Sequence, residues 1–328
     1  MANLSTSYMG FTLKNPIIVG SSGLTNSVEN IIEIEKNGGA AVVLKSLFEE
    51  QINHSINKTM HQSLENFAYP EAEDYISNYT RDNDVDNYLK LIKGAKEAVQ
   101  IPVIASINCV TASDWVSFAK KIQDAGADGL ELNIFILPSD PKRDGIQNEA
   151  IYFEIIERVK KEVTIPVAIK ISSYFSGLAN TTLKLSWTGI KGLVLFNRFF
   201  SPDIDIDNFK VTATNVFSHP EELATSLRWV AMLSSRLHCD LAASTGVHDG
   251  ASVIKQLLAG AQAVQIASVL YKKGFEQIGM MLKDLEDWMD KHSFENVSDF
   301  VGKMNIKDAE NPAAYERVQF MKHFSGIE

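Results

Sequence analysis

The amino-acid sequence predicts one (β/α)8 TIM barrel over residues 1–328, with insertions after the second and sixth strands. Three observations support this prediction: a repeated glycine followed by a short apolar run, the alternation of such runs with helix-like stretches, and a total of about eight runs. No Pro-, Gly- or Ser-rich linker and no low-complexity tract divides the chain. We therefore expect a single domain.

The repeat lies where predicted helices end and predicted strands begin. A glycine suited to the left-handed position after a helix precedes an apolar run in Gly38–Lys45, Gly126–Asn133, Gly189–Asn197 and Gly260–Ala267. A proline opens the run in Val99–Ser106 and Val163–Lys170, and two further runs are Pro16–Ser21 and Asp240–Ser244. Helix-like stretches such as Ala112–Ala125 and Gly250–Leu258 alternate with these runs, as in a parallel sheet.

Eight parallel strands are the number that closes a barrel. Alternation alone does not distinguish a closed barrel from an open doubly wound sheet, which is the alternative; no G-x-G-x-x-G follows the first strand.

Two stretches interrupt the alternation. Leu47–Asp86 follows the second strand, and Phe199–His219, with the β-like run Phe209–Ala213, follows the sixth. Both follow the carboxyl end of a strand, on the face where such barrels place their active sites. We interpret them as loops that cover a substrate.

Composition excludes several classes of protein. A net charge of −10 and a pI near 5.3 argue against a nucleic-acid partner. The two cysteines, Cys109 and Cys239, form no metal-binding pattern, and the seven histidines are scattered, so we expect neither a metal nor a disulfide. No targeting signal and no apolar run of about 20 residues is visible, which predicts a cytoplasmic protein without a membrane partner.

Polar residues at the predicted strand ends should face the mouth of the barrel. The set comprises Ser21, Ser22, Gly23, Lys45, Ser46, Ser106, Asn108, Asn133, Lys170, Asn197, Arg198, Ser244, Thr245, Gly246, Ala267 and Ser268. The turns at Ser244–Gly246 and Ala267–Ser268 follow strands seven and eight, where these barrels often hold a phosphate. The alternative is that they are only tight turns with hydroxyl caps.

Lys170 stands in the middle of an apolar strand, where an unpaired ammonium group is costly. A flavin ring needs a cation near N1 and O2, where negative charge accumulates on reduction, and Lys170 fits that need. The alternative is a structural ion pair with a carboxylate on a neighbouring strand, such as Glu131. Lys45 has the same two interpretations.

These residues resemble, in chain order, the motifs of the class 1 dihydroorotate dehydrogenase family. The matching segments are Asn15-Pro16 with Ser21-Ser22-Gly23 (N-P…A-S-G), Leu44-Lys45-Ser46 (T-K-S), Glu131-Leu132-Asn133 (E-L-N), Lys170 with Tyr174-Phe175 (K-L-P-P-Y-F), Asn197 (V-N-S), Ser244-Thr245-Gly246 (G-T-G-G) and Gln265–Leu270 (Q-I-G-T-A-L). The resemblance spans almost the whole chain.

The resemblance implies a homodimer that binds FMN and oxidises dihydroorotate to orotate in pyrimidine biosynthesis, with a hydride passing to flavin N5. It places FMN contacts at Ser22, Gly23, Lys45, Ser46, Asn133, Lys170, Asn197, Gly246 and Ser268, to which we add Ser21, Ser106, Ser244, Thr245 and Ala267 at the same strand ends. Lys170 and Lys45 are also the catalytic candidates.

The sequence departs from the family pattern at the residues that handle the substrate. The family loop N-x-S-C-P-N carries a Cys base, but here Ile136 or Leu137 stands at its place, which leaves Ser139 and Cys109 as proton-transfer candidates. The family's orotate loop is replaced within Phe67–Asn83, where Asn78 could supply an amide. The remaining predicted substrate contacts are Asn108, Asn133, Asn197 and Arg198, whose guanidinium would anchor an anionic substrate.

Three functions follow as hypotheses. The first is an FMN-dependent oxidoreductase acting on dihydroorotate or a related cyclic, anionic substrate. The second is an FMN-binding relative that acts on another substrate without dihydroorotate activity. The third is a lyase that forms a Schiff base through a strand-end lysine, Lys170 or Lys45.

Overall fold

The fold is a closed barrel of eight parallel strands surrounded by helices. The computed structural model describes residues 2–48, 85–108, 112–198 and 201–316. The barrel strands are β1 (Ile17–Val19), β2 (Ala41–Val43), β3 (Val103–Asn108), β4 (Gly129–Asn133), β5 (Val167–Ile171), β6 (Gly192–Leu195), β7 (Asp240–Ser244) and β8 (Ala263–Ile266).

Each barrel strand pairs in parallel with its neighbours in the sequence, and β8 pairs with β1. Val264 lies opposite Ile17 in that closing pair. The predicted (β/α)8 barrel is therefore confirmed, and the alternative of an open doubly wound sheet is wrong.

The helices alternate with the strands along the chain. They are α1 (Val28–Lys36), α2 (85–98), α3 (Ala112–Asp124), α4 (Gly145–Glu162), α5 (Leu178–Ser186), α6 (Leu223–Leu233), α7 (Gly250–Ala259), α8 (Ser268–Lys273), α9 (Gln277–Lys291) and α10 (Ala313–Glu316). Their apolar faces pack on the outside of the strands in one large hydrophobic core. Over the described ranges, no helix has the length and apolar character needed to cross a membrane.

The glycines of the sequence repeat adopt the expected conformation. Gly38, Gly126, Gly189 and Gly260 all have positive φ angles. At Gly260 (φ 112°) the backbone N–H donates to the carbonyls of Gln256 and Leu257 and ends α7. A β-carbon there would lie 2.3 Å from Ser234 Oγ, so both the dihedral angle and the space require glycine.

An N-terminal hairpin, which the sequence analysis did not predict, closes the amino-terminal end of the barrel. Its antiparallel strands, Thr6–Tyr8 and Phe11–Leu13, are joined at Met9 and Gly10. Tyr8, Met9 and Leu13 are buried against inward-facing residues of the barrel. The Met9 N–H donates to Asp240 Oδ2 at 2.8 Å, which fixes the hairpin to the start of β7.

The insertion after β6 forms an exposed hairpin of strands Pro202–Asp205 and Lys210–Ala213, in agreement with the predicted β-like run. After β2, Leu47–Phe48 pairs with the end of β3, and α2 is described from residue 85 onward. The intervening part of the predicted insertion, including Asn78 and the segment Phe67–Asn83, lies outside the described residues.

Candidate functional site

A cavity of about 560 Å³ lies at the carboxyl ends of the barrel strands. Many residues predicted from the strand ends line it: Ser21, Ser22, Lys170, Asn197, Arg198, Ser244, Thr245, Gly246, Ala267 and Ser268. Residues from β8, the loop before α6 and α8 complete the walls, among them Gln265, Phe217, Ser218 and Tyr271. Its position is the usual one for an active site in this fold.

The turn after β7 borders the cavity with its backbone and packs tightly against α6. Thr245 and Gly246 both have positive φ angles, 76° and 78°, and Thr245 Oγ1 donates to the Phe196 carbonyl. A β-carbon on Gly246 would lie 2.2 Å from the backbone nitrogen of Leu223, at the start of α6. Glycine thus allows the turn to sit against α6 while its backbone borders the cavity beside Ala267 and Ser268.

Lys170 is the buried cation of this cavity. Its Nζ donates to Gln265 Oε1 at 2.7 Å, Gln265 Nε2 donates to Glu131 Oε2 at 2.6 Å, and Nζ lies 4.0 Å from Glu131 Oε1. All three side chains are buried. The two interpretations of Lys170 therefore coexist, because the amine lines the cavity and is also linked to Glu131.

Burial lowers the pKa of the Lys170 ammonium, and the attraction of Glu131 opposes that shift. Glu131 Oε1 is buried and accepts no hydrogen bond from a described side chain or backbone group. The side-chain amide of Gln265 therefore bridges the two charged side chains of this site, Lys170 and Glu131.

The strand-end amides form a second link across the mouth. Asn197 Nδ2 donates to Asn133 Oδ1 at 2.9 Å, and Asn133 is paired in register with Lys170 on β5. Asn197 lines the cavity, whereas Asn133 is buried and is not among its described lining residues. Both amides thus have orientations fixed by the protein.

Three predicted serines hydrogen-bond to one another at the edge of the cavity. Ser46 Oγ lies 2.7 Å from Ser106 Oγ and 3.1 Å from Ser21 Oγ. Ser21 lines the cavity, while Ser46 and Ser106 are buried behind it.

Lys45, Gly23 and Asn108 lie close to the predicted strand ends, but they are not among the described residues that line this cavity. Lys45 is partly buried, and its backbone N–H donates to the Thr25 carbonyl. Gly23 packs under Tyr271, whose hydroxyl would lie 2.7 Å from a β-carbon at that position.

Arg198, predicted as a substrate anchor, fastens the loop before α6. Its Nε donates to Glu222 Oε2 at 2.9 Å, and Nη1 donates to the carbonyls of Asn215 and Val216. Burial alone would raise the pKa of Glu222, but hydrogen bonds from Arg198 and the His219 N–H outweigh it and lower that pKa. The Nη2 group of Arg198 takes part in none of these contacts.

The proton-transfer candidates lie outside the cavity or outside the described residues. Ser139 is exposed, and its N–H donates to the Leu137 carbonyl. Ile136, near the place of the family's Cys, contributes to a separate cavity beside α4. Cys109 and Asn78 are not among the residues that the structure describes.

Sequence reasoning missed a cluster that holds the loop before α6 against α8. Ser218 Oγ lies 3.0 Å from His248 Nε2, the Ser218 N–H donates to Ser268 Oγ, and Lys272 Nζ donates to the Ser218 carbonyl. The rings of Phe217 and Tyr271 pack at 5.1 Å. These residues share no motif, so only the fold brings them together.

Gln265 was also missed as a site residue, although the resemblance included its segment. A signal was present, because Gln265 is the polar residue within the apolar run Ala263–Ile266. In the described part of the chain, no group of His, Cys, Asp and Glu side chains could hold a metal ion.

The fold and cavity define a barrel enzyme with a small-molecule site at the carboxyl ends of its strands. Residues 3–289 match the family model described as Dihydroorotate dehydrogenase. The chain therefore belongs to the dihydroorotate dehydrogenase family and is an oxidoreductase that acts on CH–CH groups.

Relatives that are named dihydroorotate dehydrogenases are similar to this chain over nearly their whole length. The catalytic subunit of dihydroorotate dehydrogenase B (NAD(+)) from Thermoplasma acidophilum is 26% identical over 92% of this chain and 99% of its own. Dihydroorotate dehydrogenase A (fumarate) from Lactococcus lactis subsp. lactis is 24% identical over 92% and 99%. The catalytic subunit from Pyrococcus furiosus is 24% identical over 89% and 96%.

Proposed function

We propose that this chain binds FMN in the cavity at the barrel mouth and oxidises dihydroorotate or a related cyclic, anionic substrate. The observation that supports this proposal most is the buried Lys170 amine, which borders a cavity with small-residue turns on another wall. When bound, FMN supplies the acceptor for the two electrons that leave the substrate.

The described residues fit such a cofactor. Ser244, Thr245, Gly246, Ala267 and Ser268 would hold the phosphate, because these turns follow β7 and β8 and border the cavity. A side chain on Gly246 would move this turn away from α6. Lys170 would stabilise negative charge on the ring, because its side chain borders the cavity.

Gln265 and Glu131 keep the Lys170 amine in place. The amide of Gln265 accepts from Lys170 and donates to Glu131, so its orientation is determined by both neighbours. A fixed cation stabilises developing negative charge without reorganisation during the reaction. Substrate would contact the amides Asn133 and Asn197, with Asn78, Asn108 and Arg198 as further contacts in this proposal.

A second function is supported by the loop after β4. Ile136 and Leu137 carry no proton-transfer group where the family has Cys, and Ser139 is exposed. A positioned general base contributes about 10²–10⁴-fold, so dihydroorotate oxidation should be slow by that factor or another substrate should be preferred. The alternative is an FMN-binding oxidoreductase without dihydroorotate activity.

Anaerobic mixing of the FMN-loaded protein with dihydroorotate tests the substrate. We expect loss of the flavin absorbance at a rate about 10²–10⁴-fold below that of an enzyme with the Cys base. Leu137→Cys and Ile136→Cys should each be compared with Ser235→Cys, an exposed position after α6, as the control, and only a thiol in the correct place should raise the rate. No bleaching by dihydroorotate, together with rapid bleaching by another reductant, would favour the second function.

Burial lowers the pKa of Lys170, which is the direction that a Schiff-base lysine requires, so a lyase stays as a further alternative. Borohydride treatment with a keto acid distinguishes it. A mass increase on Lys170 would support the lyase and contradict the proposal, because that amine could not then serve as the cation beside FMN.

A further inference from the structure

His248 is a buried histidine beside the turn that would hold the FMN phosphate. It follows the turn Ser244–Gly246 closely, and its chain neighbour Val247 lines the cavity. The His248 ring is not among the described lining residues, but its Nε2 lies 3.0 Å from the Oγ of Ser218, which does line the cavity. A titratable ring therefore lies one hydroxyl group away from the cavity.

The backbone of Ser218 is fixed on both sides. Its N–H donates to Ser268 Oγ at 3.0 Å, and its carbonyl accepts from Lys272 Nζ at 3.0 Å. Ser268 uses its oxygen as the acceptor, so its own hydroxyl hydrogen stays available to the cavity that it lines. With the backbone fixed, the direction in which the Ser218 hydroxyl donates depends on the His248 ring.

The protonation state of His248 determines what the Ser218 hydroxyl can do. A neutral imidazole can accept the Ser218 hydrogen at Nε2, whereas an imidazolium can only donate there. When both ring nitrogens carry protons, Ser218 Oγ must accept from Nε2, and its own hydrogen turns to another acceptor. Because Ser218 lines the cavity, an anionic oxygen bound there can take that hydrogen.

The surroundings of His248 favour its neutral form in the free protein. Burial is the main cause that lowers its pKa, and the nearby Lys272 and Lys273 lower it further. A backbone hydrogen bond with Ser218 and the carboxylate of Asp249 oppose this shift without reversing it. A phosphate in the cavity would add negative charge near the two lysines and would favour the imidazolium.

The other elements around this region contribute few further charges among the described residues. On α9, Asp284 lies against the start of α7, since a β-carbon on Gly250 would be 2.7 Å from its Oδ2. The loop before α6 carries the ion pair of Arg198 with Glu222, whose charges offset each other, and the exposed His219. A bound phosphate would therefore be a large change in the charge near His248.

We propose that His248 takes up a proton from solvent when a phosphate group binds at the turn after β7, and that Ser218 then donates its hydroxyl hydrogen to that phosphate. This inference rests on the proposed function for the place of the phosphate. His248 is a positioning residue, because it acts through Ser218. By linkage, protonation of His248 strengthens phosphate binding by the same factor by which phosphate favours protonation.

NMR titration of the ligand-free, ¹⁵N-labelled full chain measures the protonation of His248 directly. We expect saturating inorganic phosphate to raise the pKa of His248 by about one pH unit or more, relative to chloride at the same ionic strength. His248→Gln identifies the signals. His238, which is exposed and precedes β7 at the other end of the barrel, is the internal control and should titrate identically in both salts. An unchanged His248 titration in phosphate would overturn the proposal.

The ratio of the affinities for FMN and riboflavin isolates the contribution of the phosphate group. Lowering the pH from about 8 to about 6 should raise this ratio about three- to tenfold more in the wild type than in His248→Gln. The titration of the FMN phosphate itself, near about pH 6, is common to both proteins and cancels. An equal pH dependence in the two proteins would contradict the proposal.

Ser218→Ala tests the path from the ring to the phosphate. It should lose the same pH-dependent gain, and the double variant with His248→Gln should lose no more than either single variant, since both act through one hydrogen bond. His238→Gln, the same change at an exposed site, should keep the gain. If His248→Gln does not fold, Ser218→Ala and the wild-type NMR titration still decide the question.

The two proposals fail in different ways. If FMN does not bind but inorganic phosphate raises the pKa of His248, the proposed function is contradicted and this inference stands. If one FMN binds per chain while His248→Gln leaves the pH dependence unchanged, this inference is contradicted and the proposed function stands.

Discussion

At the scale of single residues, a buried ion pair bridged by one amide is the main polar feature of the barrel mouth. Lys170 and Glu131 are 4.0 Å apart, and Gln265 links them through two short hydrogen bonds. Removing one member of such a network leaves a buried charge without a partner, which is more costly than never having built the network. Replacing Gln265, the uncharged member of this network, should therefore lower the free energy of unfolding.

Gln265→Leu removes the amide while keeping an apolar strand residue of similar size. We expect a loss of about 1–3 kcal/mol in the free energy of unfolding, because Glu131 Oε2 loses its donor and Lys170 its acceptor. Denaturant unfolding measures this loss. Gln100→Leu, at an exposed position, is the control, and equal effects of the two changes would contradict the importance of the bridge.

His248 gives a pH dependence of known sign. Burial and the nearby Lys272 and Lys273 lower its pKa from the usual 6.5. The unfolded chain therefore binds a proton as the pH falls below about 6.5 while the folded chain resists it, so stability falls in that range.

His248→Gln removes this titration and retains groups that can bond to Ser218. The decrease in melting temperature between about pH 7.5 and about pH 5.5 should be smaller in this variant than in the wild type. Thermal unfolding across the range measures the difference. An identical or steeper decrease in the variant would show that His248 does not titrate as described.

At the scale of elements, the sequence predicted the regular parts and missed those that depend on an unusual conformation. Six of the eight barrel strands follow from glycine or proline punctuation before an apolar run, and Gly260 shows why, since the helix end itself requires that residue. The N-terminal hairpin was not predicted because Met9, which is not a typical turn residue, adopts a φ of 56° at its turn. Its burial against the barrel stabilises a turn that local preference does not indicate.

The turn after β7 provides a prediction for an element. Gly246→Ala places a β-carbon against the start of α6 at a φ of 78°, so we expect a loss of more than about 1 kcal/mol in stability and weaker FMN binding. Gly177→Ala is the matched control, because no atom lies within 4 Å of its β-carbon and its φ of −116° is ordinary. Chemical unfolding and FMN titration of both variants test this, and equal behaviour would contradict a role for the turn.

At the scale of the whole molecule, strand order determines which residues meet. The strand-end residues Lys170 and Asn197 could be placed at one cavity from sequence because parallel strands end on the same face. The contacts of Ser218 with His248 and Lys272 could not, because they join an insertion to two later segments with no shared periodicity. The pairing of Arg198 with Glu222 could not be predicted either, because it depends on how the loop before α6 packs.

The proposed homodimer can be tested at the hairpin after β6. Ile204 and Val211 lie opposite each other there and are 65% and 71% exposed, which is an unusual apolar surface for an isolated hairpin. We expect light scattering to give twice the 36.4 kDa of one chain, and the double variant Ile204→Asp with Val211→Asp to give a monomer. Met280→Asp, at an exposed site on α9, is the control, and a dimer unaffected by the hairpin change would locate the interface elsewhere.

The most direct test of the central claim is a spectroscopic titration of the ligand-free protein with FMN. We expect one FMN per chain, with a perturbed flavin spectrum and an affinity lowered at least tenfold in Lys170→Met, because Lys170 borders the cavity. The affinity should be retained in Lys184→Met, the control, because Lys184 is exposed on α5 and does not line the cavity. An unperturbed spectrum and no saturable binding in the wild type would contradict the account.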